Sequence, residues 1–346
     1  MKKKRLILAF LVIAFILLTS VACSKSTPTT AKTSEYQFKD GKLTKEFSLK
    51  VVKGGAFDYC IADMKGFLKD VGIVTDYQGP LKGGTLAQAV VQGNVDLMHS
   101  GHVIDIALAR KAGMKIKFVL EGMVDSPDAD KGHMFYFVKD DGKINSVQDL
   151  VGKKIGVSSL GSCVEVITDE YLRQNGIGKD KVQLVVMPDA QMEQALRQGM
   201  IDVAVLHQPF SFVARQKPGL KVLVSSYAIG AVAGDGEASG LAVRAFSEDF
   251  LKKNPDVVKA YITADVRGQR WSNQNFEEAK KLYAQFNGTP VSGGNWTPTE
   301  KWVDVKKVQF WISMLERNGF LKPGEVKAED LFTNDLNPFF TGELKE

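Results

Sequence analysis

The chain has 346 residues, 44% hydrophobic and 25% charged, which suits a water-soluble protein with room for two domains and excludes disorder, collagen and a bundle of membrane spans. Its formal net charge is +5, but Lys2, Lys3, Lys4 and Arg5 supply four of those charges, leaving 41 basic against 40 acidic side chains elsewhere. A nucleic-acid binder normally carries a basic face or a strongly basic domain, so that class is set aside.

The leader comes first in chain order. Residues 2–5 are positive, residues 6–18 are an unbroken apolar run, and Thr19, Ser20, Val21 and Ala22 lead to Cys23, the layout of an export signal. The run is shorter than the roughly 20 residues that cross a bilayer. Small residues ahead of a cysteine resemble the lipobox of bacterial lipoproteins, with Ser20 where Leu is commoner. The expectation is a signal peptide over residues 1–22, lipidation of Cys23, and an anchor and tether over residues 23–44. Residues 24–34, rich in Ser, Thr and Lys without apolar periodicity, suit a flexible tether.

Short β-branched runs then alternate with helical patterns. Strands are predicted over residues 47–52, 95–98, 116–120, 134–138, 154–157, 182–187, 201–206, 222–224 and 241–243, and a helix over 59–71 with Ile61, Met64, Leu68 and Val71 on one face. Residues 250–271, 276–286 and 298–318 read as helices, a helical addition at the C-terminal end. Alternation of this kind implies an α/β fold of mainly parallel sheets with flanking helices. Residues 86–119 also align without a gap on residues 192–225. Gln88, Ala89, Gln92, Gly93, Asp96, Lys111, Gly113 and Lys115 match Gln194, Ala195, Gln198, Gly199, Asp202, Lys217, Gly219 and Lys221 at a constant offset of 106. Two related α/β units leave a cleft between them, and open α/β sheets bind ligands beyond the carboxyl ends of their strands.

Several segments carry a resemblance. Gly83-Gly84-Thr85-Leu86, Gln92-Gly93-Asn94-Val95-Asp96, Asp149-Leu150-Val151-Gly152-Lys153-Lys154-Ile155-Gly156-Val157 with Gly161-Ser162 after it, Gly199-Met200-Ile201-Asp202 and Asn254-Pro255-Asp256-Val257-Val258 resemble the periplasmic substrate-binding proteins of nitrate, sulfonate and taurine ABC importers. That group also holds receptors for thiamine-pyrimidine precursors. The resemblance runs from about residue 47 to residue 286 and implies a two-domain periplasmic-binding-protein-like fold of type II. Domain I would be residues 45–135 plus 240–346, and domain II residues 136–239. It implies a monomeric, exported receptor, lipid-anchored on the outer face of the cytoplasmic membrane, that delivers a small oxyanion such as a sulfonate, taurine or nitrate to an ABC permease. Many relatives carry a Pro shortly after the first G-x-x-D, where this chain reads His99-Ser100-Gly101-His102, which leaves a neutral heterocycle of the thiamine-pyrimidine or flavin type as the alternative ligand.

Five strand-end loops supply the candidate contacts. Gly55, Phe57 and Tyr59 lie on the first, with the aromatics equally suited to the core. His99 and Ser100 follow the strand at 95–98; Ser159, Gly161 and Ser162 open a helix whose free N–H groups favour an anion, as would Thr85 after Gly83-Gly84. Ser162 could equally cap its helix. Asp189 precedes a helix, and His207 and Gln208 end the strand at 201–206. An H-x-x-H spacing at His99 and His102 with a distant His207 raises zinc, but no acidic fourth ligand is apparent, so neither metal nor cofactor is expected. Cys60 and Cys163 near the cleft are expected as free thiols. Cys163 at a helix N-terminus raises an enzyme, yet the chain has no P-loop, no G-x-S-x-G and no H-E-x-x-H, so an enzyme is not the preferred reading, and the resemblance places import ahead of a sensory receptor.

Overall fold

The computed structural model describes residues 35–345 apart from residues 55, 82, 83, 290 and 291; the leader, Cys23, residues 24–34 of the tether and Gly55 lie outside the described residues. Short strands β1 (Phe38–Lys39) and β2 (Lys42–Leu43) lead into β3 (Phe47–Val52), whose alternate residues Leu49 and Val51 are fully buried, as a period of two requires. The helix expected over residues 59–71 is divided into α1 (Phe57–Met64) and α2 (Phe67–Asp70). Gly66 between them adopts the left-handed conformation at φ 77°, which ends one helix and starts the next. A strand absent from the sequence reading follows, β4 (Ile73–Gln78), parallel to β3 in register from Phe47 opposite Ile73 to Val52 opposite Gln78. Its polar residues disguise it: Thr75 and Tyr77 donate to the Asp63 carboxylate at 2.8 and 2.7 Å.

Next come α3 (Leu86–Val91), β5 (Leu97–Met98), α4 (Val103–Lys111), β6 (Ile116–Glu121) and, after a loop, β7 (Met134–Lys139). The series continues with β8 (Lys154–Val157), α5 (Cys163–Gln174), β9 (Gln183–Val186), α6 (Asp189–Gln198), β10 (Val203–His207), α7 (Phe210–Arg215), β11 (Leu220–Ser225) and α8 (Ser226–Ala233). The strand expected at 241–243 begins later, as β12 (Val243–Ser247). The long helix expected from residue 250 is α9 (Glu248–Lys253) and α10 (Pro255–Gln274), split because Pro255, lacking an N–H, fits the first turn of a helix and not its interior. Then follow α11 (Phe276–Asn287), α12 (Val305–Arg317) and α13 (Ala328–Leu331). The helix expected from residue 298 starts only at 305, where the Asp304 side chain accepts from the Lys306 N–H at 2.9 Å.

A five-stranded sheet, in the order β11-β7-β10-β8-β9, draws all its strands from residues 134–225, while a three-stranded sheet, β5-β12-β6, takes its strands from either side of that stretch. The sheets are mixed where mainly parallel ones were expected. β8, β9 and β10 run parallel, but β7 is antiparallel to β10 and β11, and β12 to β5 and β6. The reason is topological: β7 and β12 are the first strands after the chain passes from one sheet to the other, through residues 122–133 and through α8, and only a same-sheet parallel connection requires a helical crossover.

The internal repeat has a three-dimensional counterpart, α3-β5-α4-β6 against α6-β10-α7-β11. Gly93 and Gly199 are left-handed at φ 74° and 76°, and Gly113 and Gly219 at 83° and 86°. In one copy the Asp96 carboxylate accepts from the Lys50 N–H at 2.8 Å while its own N–H donates to the Lys50 carbonyl at 2.8 Å. In the other, Asp202 makes the same pair of bonds to Lys154, at 2.9 and 2.8 Å. The G-x-x-D motif thus clasps the start of each strand to the strand two before it in the chain, β5 to β3 and β10 to β8.

The helical region expected at the C-terminal end is present, and α12 within it packs into the body of the fold. Trp311 of α12 is fully buried and donates its indole N–H to the Ala238 carbonyl at 2.7 Å. Lys307 reaches Glu121 at the end of β6 at 3.0 Å, and Asn318 and Arg317 reach Glu170 of α5 at 2.8 and 3.2 Å, so one helix engages elements beside both sheets.

Candidate functional site

Strand direction builds the site. Because β8, β9 and β10 are parallel, their carboxyl ends share one edge of the five-stranded sheet; Cys163 opens α5 after β8, Asp189 opens α6 after β9, and His207 ends β10. Antiparallel β7 enters at the same edge, with Met134 opposite His207, which places His133 beside them. From the other sheet, His102 caps α4 after β5. Its Nδ1–H donates to the Leu241 carbonyl at 3.0 Å, fixing the ring by the start of β12, which carries Arg244. The loops that pass between the sheets are clasped at buried Asp125, whose carboxylate accepts from the backbone N–H groups of His133 and Ser126, each at 2.8 Å, from Ser239 Oγ at 3.0 Å and from Ser226 Oγ.

These elements enclose a cavity of about 380 Å³. Two polar clusters form its walls. In the first, Arg244 is fully buried and binds Asp58 through Nη2 and Asp265 through Nε, the latter at 3.1 Å; Gln269 donates to Asp58 at 3.2 Å and Tyr261 to Asp265 at 2.9 Å. Burial and the neighbouring Asp58 push the Asp265 carboxyl up, while the two carboxylates outweigh burial and raise the Arg244 guanidinium.

In the second cluster three imidazoles surround one sulfur. Cys163 Sγ lies 3.7 Å from His207 Nε2 and 4.0 Å from His133 Nε2, and ligand atoms of His102, His133 and Cys163 all fall within 4.8 Å of one another. His207 Nδ1 faces the Asp189 carboxylate at 3.4 Å. Burial by itself would raise the Cys163 thiol, but the imidazoles of His102, His133 and His207 hold it well below the ordinary range. Burial would lower His207, yet Asp189 and Cys163 bring it up to about 10. His133, with its Nδ1 unbonded among the described residues, is pushed down by burial.

Of the residues singled out from sequence, Phe57, Ser100, Asp189, His207 and Gln208 line this cavity. Gln208 faces it with neither amide atom hydrogen-bonded among the described residues. Tyr59 and His99 are turned into the core: their rings stack at 4.9 Å, the Tyr59 hydroxyl meets Thr75 Oγ1, and His99 Nε2 meets the Val52 carbonyl at 2.7 Å. Thr85 caps α3 in a capping box with Gln88 and lines, with Ser100 and Gly161, a separate hollow. The Gly161 N–H at the head of α5 is taken by the chain's own Glu165 carboxylate at 2.5 Å, and Ser162 donates to the Ser159 carbonyl at 3.1 Å, so these groups serve local structure. Cys60 and Cys163 are both free, and Cys60 packs among Phe57, Ile61 and Tyr283. Sequence reasoning missed His133, Arg244 and Tyr283. The clue for His133 is its place directly ahead of a strand; that the strand runs antiparallel beside His207 has no local signal.

The fold is of the periplasmic-binding-protein-like class, an architecture shared with solved structures at low sequence identity. It superposes on the periplasmic aliphatic sulphonate binding protein SsuA from Escherichia coli with a TM-score of 0.62 at 18% identity, covering 82% of this chain and 91% of that one. The periplasmic nitrate-binding protein NrtA from Synechocystis PCC 6803 superposes with a TM-score of 0.64 at 15% identity, over 84% of this chain and 87% of that one. Residues 56–279, more than half of the chain, match the NMT1/THI5-like family, and the protein belongs to that family. A relative in Escherichia coli (strain K12), the taurine-binding periplasmic protein, is 27% identical over 233 residues, 65% of this chain and 67% of that protein.

Proposed function

We propose that the protein is an extracytoplasmic solute receptor of an ABC importer, anchored by lipid at Cys23, which captures a small polar solute in the cavity and presents it to a membrane permease. Residues 45–135 with 240–346 form one lobe in this reading and residues 136–239 the other, and the receptor works as a monomer without a catalytic step. One observation carries it: the cavity opens at the carboxyl ends of strands from both sheets, where open α/β sheets take ligands, and residues of each sheet face it. The export-type leader and the taurine-binding relative support the same reading. Ligand contacts on both sheets would favour the closed form by differential binding.

An oxyanion such as a sulfonate, taurine or nitrate would use the His207 ring, Ser100 and Gln208 as donors, while the Gly161 N–H ahead of α5 is already taken by Glu165. The free amide of Gln208, a donor and an acceptor in one plane beside Phe57 and Tyr283, favours the second reading, a neutral heterocycle. A thermal-shift screen of the purified protein separates them, with taurine, alkanesulfonates and nitrate against aminopyrimidines, thiamine and riboflavin. A true ligand at about 100 times its dissociation constant adds roughly 2.7 kcal/mol to the folded state. Stabilisation by an oxyanion supports the first reading and by a heterocycle alone the second; no shift with any of them defeats both.

A further inference from the structure

We infer that His102, His133, Cys163 and His207 together bind one divalent transition metal ion of the zinc class at the floor of the cavity. The donor set is the first argument. Three imidazoles and one sulfur suit borderline ions such as zinc, whereas magnesium and calcium require oxygen. Spacing is the second. With metal–sulfur and metal–nitrogen bonds of about 2.3 and 2.05 Å, a tetrahedral ion holds its sulfur and nitrogen ligands about 3.6 Å apart. Here Sγ stands 3.7 Å from His207 Nε2 and 4.0 Å from His133 Nε2, and the ligand atoms of His102, His133 and Cys163 lie within 4.8 Å of one another.

Orientation is the third argument. A ligating histidine normally donates its other ring N–H to a carbonyl or carboxylate, which fixes the tautomer and aims the free nitrogen at the metal. His102 Nδ1 does this to the Leu241 carbonyl and His207 Nδ1 to Asp189. The alternative is a Cys163–His207–Asp189 nucleophile, but a nucleophilic thiol needs one base, and that reading leaves two further imidazoles at the sulfur without a task. Access is available, because His102, His133 and His207 border the cavity. His102 comes from the end of β5 and the other three residues from the edge of the five-stranded sheet, so a bound ion would tie the two sheets together. Metal binding here goes beyond the receptor reading and does not depend on it.

The test is a titration of the full chain, stripped with a chelator, with cobalt(II) and then zinc. The expected result is one equivalent of cobalt in a tetrahedral visible spectrum with a thiolate charge-transfer band, displaced by one equivalent of zinc. Cys163→Ser removes the charge-transfer band, His207→Gln and His102→Gln each weaken binding, and Asp189→Asn, which touches no metal, weakens it by roughly 10–100-fold. Circular dichroism of the metal-free variants confirms that they fold, and the separate His variants keep the test intact if one does not. Binding that is absent, or unchanged in both Cys163→Ser and His207→Gln, overturns the inference. So does a Cys163 that reacts with iodoacetamide at the same rate with and without one equivalent of zinc, which would make it a nucleophile. The solute screen without metal is an independent readout, so the receptor and metal readings fail separately.

Discussion

The two polar clusters on the cavity wall solve the same problem in opposite ways. Around Arg244, each ionic group meets a partner: guanidinium to two carboxylates, carboxylates to Gln269 and Tyr261, all within the interior. Around Cys163, the outer nitrogens of His102 and His207 are anchored, but the inner nitrogens converge on a sulfur that offers only long contacts of 3.7 and 4.0 Å. Apart from Asp265 Oδ1, which has no partner among the described residues, the first cluster satisfies itself; the second leaves ring nitrogens facing one sulfur, the arrangement that the proposed metal ion would fill. Burial alone does not distinguish them, since Arg244, Asp58, His133 and Cys163 are all buried.

The largest expected effect falls on the closed network. Arg244→Met leaves Asp58 and Asp265 buried without their counter-charge, and breaking a buried pair from one side costs about 3–5 kcal/mol, read as a lower urea midpoint. A loss below about 1 kcal/mol would show that the network is not structural and would erase the contrast.

A buried carboxylate away from the cavity gives an intermediate case. Glu170 of α5 accepts from Arg173 at 2.7 and 3.0 Å, from Gln174 at 3.2 Å, and from Arg317 and Asn318 at the end of α12. Burial would raise its carboxyl, but these partners bring it down to about 2. The folded value lies below the ordinary value of about 4.3, so the stabilisation is present above that pH and is lost as pH falls through about 2. Glu170→Gln should cost about 2 kcal/mol at pH 7, a difference from the parent that shrinks below about pH 4 and vanishes near pH 2 in urea melts. A difference independent of pH would mean that packing, and not charge, joins α5 to α12.

The smallest effect belongs to the open cluster. Cys163→Ala removes a sulfur held only by long contacts and leaves Asp189 beside His207 as its counter-charge, so metal-free stability should change by less than about 1 kcal/mol in thermal melts. A loss as large as that of Arg244→Met would make Cys163 a structural residue and sharpen the comparison in the other direction.

The sequence by itself determined what depends on neighbours along the chain. The period of two in residues 47–52, the left-handed glycines at 93, 113, 199 and 219, and the doubled Asp96 and Asp202 are local chemistry, so the α/β alternation and the repeat were legible. The loop ends carrying Phe57, Ser100, Asp189, His207 and Gln208 followed from them. β4 was hidden because its half-buried face is spent on bonds to Asp63, and the helix breaks at Gly66 and Pro255 were decided by single residues inside otherwise helical patterns.

What only the tertiary structure decided is direction and depth. The antiparallel course of β7 carries His133 to His207, that of β12 carries Arg244 to Asp58, and the rotation of each strand end turns His99 inward while sending His102 to Cys163. The H-x-x-H spacing does not bring its own two histidines together, since His99 is turned inward while the nitrogens that converge on Cys163 come from three separate segments, at His102, His133 and His207. Side-chain type is written locally, but which atoms share a cavity depends on strand pairings such as Lys154 with Gln183 and Met134 with His207, between residues far apart along the chain, and no local pattern specifies those.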